Sequence, residues 1–200
     1  MKKKIILIVL AFIVCLSLCG CNKMFGRLDD LCKDPHDNVK LTVSVTDGNV
    51  ELKGTYTAVK QADGSVSVQY SYQVLNEIIT DNGSYEVPDE RITTYSGSMK
   101  ITSVDGVTQV ETQDGAKPNL DLTQITAVAL NFNKSNLDKV EDKDGVFSAN
   151  VKDLSKLMGS DTEGQNGRVV AKYTEDVIQS VEISFERSGY QVVFTYDFTA

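Results

Sequence analysis

Val66-Ser67-Val68-Gln69-Tyr70-Ser71-Tyr72-Gln73-Val74 is the stretch on which the fold turns. Valine and tyrosine occupy every even position, serine and glutamine every odd one. A period of two puts the apolar set on one face of a strand and the polar set on the other. One wet face and one dry face is the mark of an antiparallel sheet packed on one side only.

The same period runs outward in both directions. Leu41, Val43 and Val45 alternate with Thr42, Ser44 and Thr46, and Asp47-Gly48 turns the chain into Val50, Leu52, Gly54 and Tyr56. Asn82-Gly83, Ser96-Gly97, Asp105-Gly106 and Asp114-Gly115 punctuate short strands around Tyr85, Ile92–Tyr95, Met99–Val104 and Val107–Thr112. At Pro118 the pattern breaks. Leu122, Ile125, Val128 and Ala129 carry helical spacing, with Asn119 or Asp121 as the cap. A charged stretch from Asp138 to Asp144 precedes a strand at Val146–Val151 and a short helix at Lys152–Met158 closed by Gly159. Three strands finish the chain: Arg168–Tyr173, Val177–Phe185 and Tyr190–Phe198, the last with Tyr190, Val192, Phe194, Tyr196 and Phe198 on one face. This is a mostly β, α+β domain, a curved antiparallel sheet of half-barrel type with one or two short helices. A β-sandwich uses the same pattern and is the competing fold.

The N-terminus has a different grammar. Lys2-Lys3-Lys4 is followed by the apolar run Ile5 to Leu18 and by Cys19-Gly20-Cys21. The run is shorter than the roughly 18–20 residues of a spanning helix, as in a secretion signal. Leu18-Cys19-Gly20-Cys21 resembles the bacterial lipobox, with Leu at −3, Gly at −1 and the acceptor at Cys21. The resemblance implies that residues 1–20 are a lipoprotein signal. It further implies that the Cys21 thiol is acylated and that the chain is anchored to the extracytoplasmic face of a bacterial membrane. Residues 21–38 then form the tether, and 39–200 a single globular domain. Within the tether, Phe25, Leu28, Leu31 and Cys32 make a weak helical stripe stopped at Pro35, read either as a short docking helix or as a linker.

Loss of Lys2, Lys3 and Lys4 takes 20 basic residues to 17 against 28 acidic ones, a charge of about −11. That repels nucleic acid and anionic headgroups and excludes a nucleic-acid role. With Cys15 and Cys19 in the signal and Cys21 lipidated, Cys32 is left without an intramolecular disulfide partner, so packing must supply the stability.

The residues that could carry chemistry fall short. His36 is the sole histidine and sits in the tether, where with Cys32 it makes one C-x-x-x-H pair, two ligands short of a zinc site. Asp138, Glu141, Asp142 and Asp144 fail the calcium-loop spacing, because Val140 and Val151 stand where acids are needed. Gly159, Gly164 and Gly167 match no phosphate loop. No cofactor, metal or catalytic residue is expected.

The stretch Phe147-Ser148-Ala149-Asn150-Val151, through Leu154, Leu157 and Met158-Gly159 into the last three strands, is similar in pattern to the C-terminal half of LolA/LppX-type lipoproteins. That resemblance covers roughly the last 80 residues. It implies a half-barrel whose concave side, plugged by helices, holds acyl chains or lipids. The reading that follows is a non-enzymatic, membrane-anchored protein binding a hydrophobic or lipid-like ligand, lined by Tyr70, Tyr72, Phe185, Phe194 and Tyr196. The same five residues serve equally as filled core in a cell-surface interaction module that meets an envelope protein. A hydrolase is the third reading.

Overall fold

The computed structural model describes residues 24–76, 78–79, 85–86, 92–105, 107–118, 120, 122, 125–126, 128–158 and 162–198. The signal, Cys21 and the Asn82-Gly83 turn lie outside them.

Twelve strands follow one another: β1 (Asn38–Thr46), β2 (Glu51–Lys60), β3 (Val66–Leu75), β4 (Ile78–Ile79), β5 (Tyr85–Glu86), β6 (Ile92–Val104), β7 (Val107–Asp114), β8 (Leu137–Lys143), β9 (Val146–Val151), β10 (Gln165–Tyr173), β11 (Ile178–Arg187) and β12 (Tyr190–Asp197). Helix α1 covers residues 24–33, and α2 is Leu154–Met158. Ten strands make one antiparallel sheet in the order β7-β6-β3-β2-β1-β12-β11-β10-β9-β8; β4 and β5 pair separately. The sheet is curved and not closed, half-barrel-like, with β7 and β8 at its two edges. One continuous sheet replaces the two packed sheets of a sandwich.

Each half of the sheet is a local meander. What joins them is β1 against β12, with Leu41 opposite Tyr196 and Val43 opposite Phe194. That register aligns the alternation of every strand. One row of side chains crosses the concave face from Tyr70 through Tyr56, Leu41, Tyr196, Val181 and Ala171 to Phe147. The convex face is a carpet of short polar side chains, with Ser71, Thr55, Thr42, Thr195 and Glu182 in one row.

The concave face is covered by two segments. Helix α1 lays Phe25, Leu28 and Cys32, all buried, onto the sheet. The docking-helix reading of residues 24–33 is therefore the one the structure adopts. The crossover after β7 adds Leu122, Ile125, Val128, Leu130 and Phe132, all buried. Phe147, with no exposed surface, is clamped edge-on by Phe25 at 6.1 Å and by Phe132 at 5.6 Å. Hydrogen bonds from main-chain amides lock the layers: the Phe132 amide donates to the Asp29 side chain at Oδ1 (2.7 Å), the His36 amide to the Thr126 carbonyl (2.8 Å), and the Asn131 amide to the Leu157 carbonyl (2.8 Å).

Three sequence expectations are corrected. The Leu122–Ala129 segment is no helix among its described residues: it makes one turn at 125–126, and Ala129 is exposed. Its apolar spacing records burial under the sheet, which an irregular chain achieves as well as a helix. The charged stretch from Asp138 to Asp144 is mostly edge strand β8. A bulge between Asp138 and Glu141, with Lys139 at φ 46°, breaks the period that would have revealed it. Ser96-Gly97 is not a turn but the middle of the 13-residue strand β6.

Gly97 has another purpose. Tyr70 lies across it and donates its hydroxyl to the Asp114 carbonyl (3.0 Å), where the chain leaves β7 for the crossover. A Cβ at Gly97 would run into that carbonyl oxygen and the Tyr70 phenol, and Gly115, at φ +76°, passes just as tightly over Ser96. Overpacking of this kind typically costs about 1–3 kcal/mol. Gly97→Ala should therefore lower the urea midpoint clearly. Gly26→Ala, on the exposed side of α1 with nothing within 4 Å, should raise stability by up to about 1 kcal/mol through helix propensity. Equal effects of the two would contradict the crossing.

Candidate functional site: the open end of the concave face

The cover is unequal along the strands. Over β9–β11 it is close: Phe147, Val169, Ala171, Ile178, Val181 and Ile183 have no exposed surface. Over the end of the sheet formed by residues 43–45, 52–54, 72–74 and 192–194, it is not. Val43, Tyr72, Val192 and Phe194 are only partly buried against the core, and Val45 and Leu52 are partly exposed and stand outside it. Val74 (39 %) and Tyr95 (40 %) are exposed apolar side chains of the same face.

We refer to this open, partly exposed strip of the concave face as the trough. The row across it reads Tyr95, Tyr72, Gly54, Val43, Phe194, Ile183. Tyr72 and Tyr95 stack at 5.5 Å, forming one wall; Phe185 and Phe194 stack at 6.2 Å and 10°, forming the other. Gly54 lies between the walls, and the Tyr56 ring folds over it, so close that a Cβ there would lie 2.9 Å from Cε2. The Tyr56 ring thus takes the space of a side chain at 54, and the strip between the two stacked pairs is covered by an aromatic ring.

The five residues singled out from sequence share this face but not one environment. Tyr70 and Phe185 are buried. Tyr72, Phe194 and Tyr196 are partly exposed. Tyr72 and Phe194 stand on opposite sides of the trough, with β2 and β1 between them. Sequence reasoning missed Tyr56, Val43 and Tyr95; the signal was present, since each continues the same alternation, but register alone sets them beside Tyr72 and Phe194.

The polar atoms here are phenols. Tyr70 donates to Asp114, and Tyr72 more weakly to the Ala116 carbonyl (3.4 Å). Burial raises the Tyr56 and Tyr70 phenols, and the neighbouring Tyr72 phenol adds to both. Burial pushes Tyr196 up to about 12. Neither Tyr56 nor Tyr196 has a side-chain hydrogen-bond partner among the described residues. The site thus presents flat apolar rings and neutral hydroxyls, with no carboxylate or imidazole among the trough side chains.

The other candidates occupy structural positions. His36 packs its ring on Phe198 at 4.2 Å and holds the Leu31 carbonyl through Nε2 (3.1 Å). Burial, assisted by Asp29, pushes the Cys32 thiol up to about 12, which leaves it protonated and unreactive. Asp142 accepts the Tyr173 hydroxyl on both oxygens (2.9 and 3.0 Å). No cluster of three metal-ligating side chains occurs among the described residues.

No protein-family model matches the chain, and no curated protein matches it. Among solved structures, a DUF1329 family protein from Desulfovibrio piger is similar at 9 % identity, with 84 % of this chain and 86 % of that one covered. The TM-score is 0.25, a superposition too loose to assign fold or function.

The raised phenol and thiol have a consequence for stability. In the unfolded chain Cys32 ionises near its ordinary value of 9 and Tyr196 near 10, whereas in the folded protein both hold their protons to about 12. Between those values the unfolded state binds fewer protons, so stability falls as pH rises. It is complete below pH 9 and is lost progressively toward pH 12. Tyr196→Phe should keep the neutral-pH urea midpoint and flatten the loss above pH 10. A variant that declines as steeply as the wild type would place the phenol in solvent.

Proposed function

We propose that this chain is a non-enzymatic lipoprotein, anchored through Cys21 on the extracytoplasmic face of a bacterial membrane, that holds an elongated apolar ligand in the open trough of its concave face. The observation that carries this reading is the row Tyr72–Gly54–Val43–Phe194: an apolar strip between two stacked aromatic pairs, partly exposed on a sheet face that is covered over β9, β10 and β11. Aromatic walls and neutral phenols suit an acyl-like chain. Each methylene withdrawn from water contributes about 0.8 kcal/mol, and a hydroxyl from Tyr56 can meet a polar head without a charge. The ligand would lie along the open end rather than deep inside, because Phe25, Phe132 and Phe147 fill the interior. A lipid anchor with two acyl chains binds stably by itself, so the trough is not needed to hold the membrane.

The second reading, an interaction module with a filled core, is favoured by that same interior packing. The two differ in what the open end does. The purified protein should bind an apolar naphthalene sulfonate dye while remaining fully folded. Phe194→Ala should weaken dye binding and cost less than the roughly 3–5 kcal/mol of a buried aromatic truncation, because Phe194 is only partly buried. Thr195→Ala, on the convex face, should alter neither. A folded wild type that takes up no dye leaves the interaction module in front. For the address, cells fed a fatty-acid analogue should label the wild type and not Cys21→Ala; label persisting on the variant would sink the anchor.

A further inference from the structure

Docking of α1 leaves almost no tether. Met24, in the first turn of α1, follows Cys21 with only Asn22 and Lys23 between them. Three residue steps span at most about 10 Å. Were residues 22–38 a free linker, they would reach roughly 55–60 Å. The structure takes that freedom away. Phe25, Leu28 and Cys32 are buried, and Asp29 accepts the Phe132 amide at 2.7 Å. His36 closes the segment, with its ring on Phe198 (4.2 Å) and its Nε2 at the Leu31 carbonyl (3.1 Å).

The helix enters at one end of the sheet. Phe25 meets Phe147, the second residue of β9. Burial and the Asp142 carboxylate raise the phenol of Tyr173, the last residue of β10, and Arg27 is near enough to oppose them. The Tyr173 amide donates to the Gly145 carbonyl (2.9 Å) in the β8–β9 turn, and the Thr174 amide to the Val177 carbonyl (2.8 Å) in the next turn. Val146, at 40 %, and Val177, at 50 %, are exposed apolar side chains at this end. Charge here is close to balanced: Arg27, Lys143 and Lys172 stand against Asp142, Asp144, Glu175 and Asp176, so most of the acidic excess lies elsewhere in the chain.

We propose that this end of the sheet, around the start of α1 and the turns at Gly145 and Val177, rests on the headgroups of the bilayer that holds the anchor. The proposal depends on acylation of Cys21. Given that anchor, the reach decides the posture. The headgroup layer is roughly 5–8 Å deep on each side, so about 10 Å of chain brings Met24 no further out than the top of that layer. The domain is seated on the membrane and does not swing above it. Exposed valines and near-balanced charge make this end the part of an acidic protein that a lipid surface repels least.

Tryptophan is absent from the chain, so one substituted tryptophan reports alone. Val177, just before β11, and Tyr190, at the start of β12, stand at opposite ends of one hairpin, about 30 Å apart along β11. Both are exposed, Tyr190 at 45 %. The full chain with Val177→Trp or Tyr190→Trp, purified from a bacterial membrane, is reconstituted in phosphatidylcholine vesicles whose headgroups carry a nitroxide quencher. Val177→Trp should lose most of its fluorescence and Tyr190→Trp little. A Gly-Ser spacer of about 20 residues between Lys23 and Met24, with a mean reach of roughly 25 Å, should reduce quenching of Val177→Trp to the level of Tyr190→Trp. Fatty-acid labelling of the same samples separates the two claims. Chains without label overturn the anchor, and the seating with it. Labelled chains in which Val177→Trp is quenched no more than Tyr190→Trp, or in which the spacer changes nothing, overturn the seating and leave the anchor standing.

Discussion

β1 and β12 meet at the centre of the sheet, and both halves hang on that ladder. The chain from β1 to β7 and the chain from β8 to β12 are meanders of neighbouring strands. Each can form from local contacts, but neither alone completes the concave surface. Only when Leu41 reaches Tyr196 and Val43 reaches Phe194 do the two apolar faces become one. A slip of one residue there would turn the whole aromatic face of β12 to solvent. The pairing closes a loop of nearly the entire described chain. The entropy of closure grows slowly with length, so the cost falls mainly on folding rate.

The same ladder explains why the interior and the open end differ. The crossover from β7 to β8 and helix α1 must both fit under one curved sheet. They converge on Phe147, in the half where β9, β10 and β11 are covered. What they leave is the far end of β1, β2, β3 and β12, where the walls are aromatic and the floor is a tyrosine ring laid over a glycine. The trough is thus a by-product of where the cover ends, made of residues chosen by the strand pattern.

Much of this was legible in the residues. Val66 to Val74 alternates without a break and Tyr190 to Phe198 with the one exception of Val193, and strands β3 and β12 turn Val68, Tyr70, Tyr72, Val192, Phe194 and Tyr196 toward the core. Lys139 at positive φ hides β8, because a bulge shifts the period by one residue. Gly97 reads as a turn residue, yet it is needed where the Tyr70 ring and the departing chain cross the sheet. Leu122, Ile125 and Val128 have the spacing of a helix, although burial under a curved surface imposes that spacing on an irregular chain too. Long-range pairing leaves no local mark, which is why a sandwich and a single sheet could not be told apart by alternation. The trough residues were visible as an apolar face. Which of them stay open depends on how far α1 and the crossover reach, and no local pattern encodes that reach.

The most direct test of the central ladder is native-state hydrogen exchange of the amides in β1 and β12. If the two halves are one cooperative unit, Leu41, Val43, Phe194 and Tyr196 exchange only through global unfolding, with the same opening free energy as the buried residues of β9 and β10. Amides on the β7 edge then exchange much faster. Exchange of the β1 and β12 amides through a cheaper, local opening, while β9 and β10 stay protected, would show two halves that separate on their own and would contradict the account.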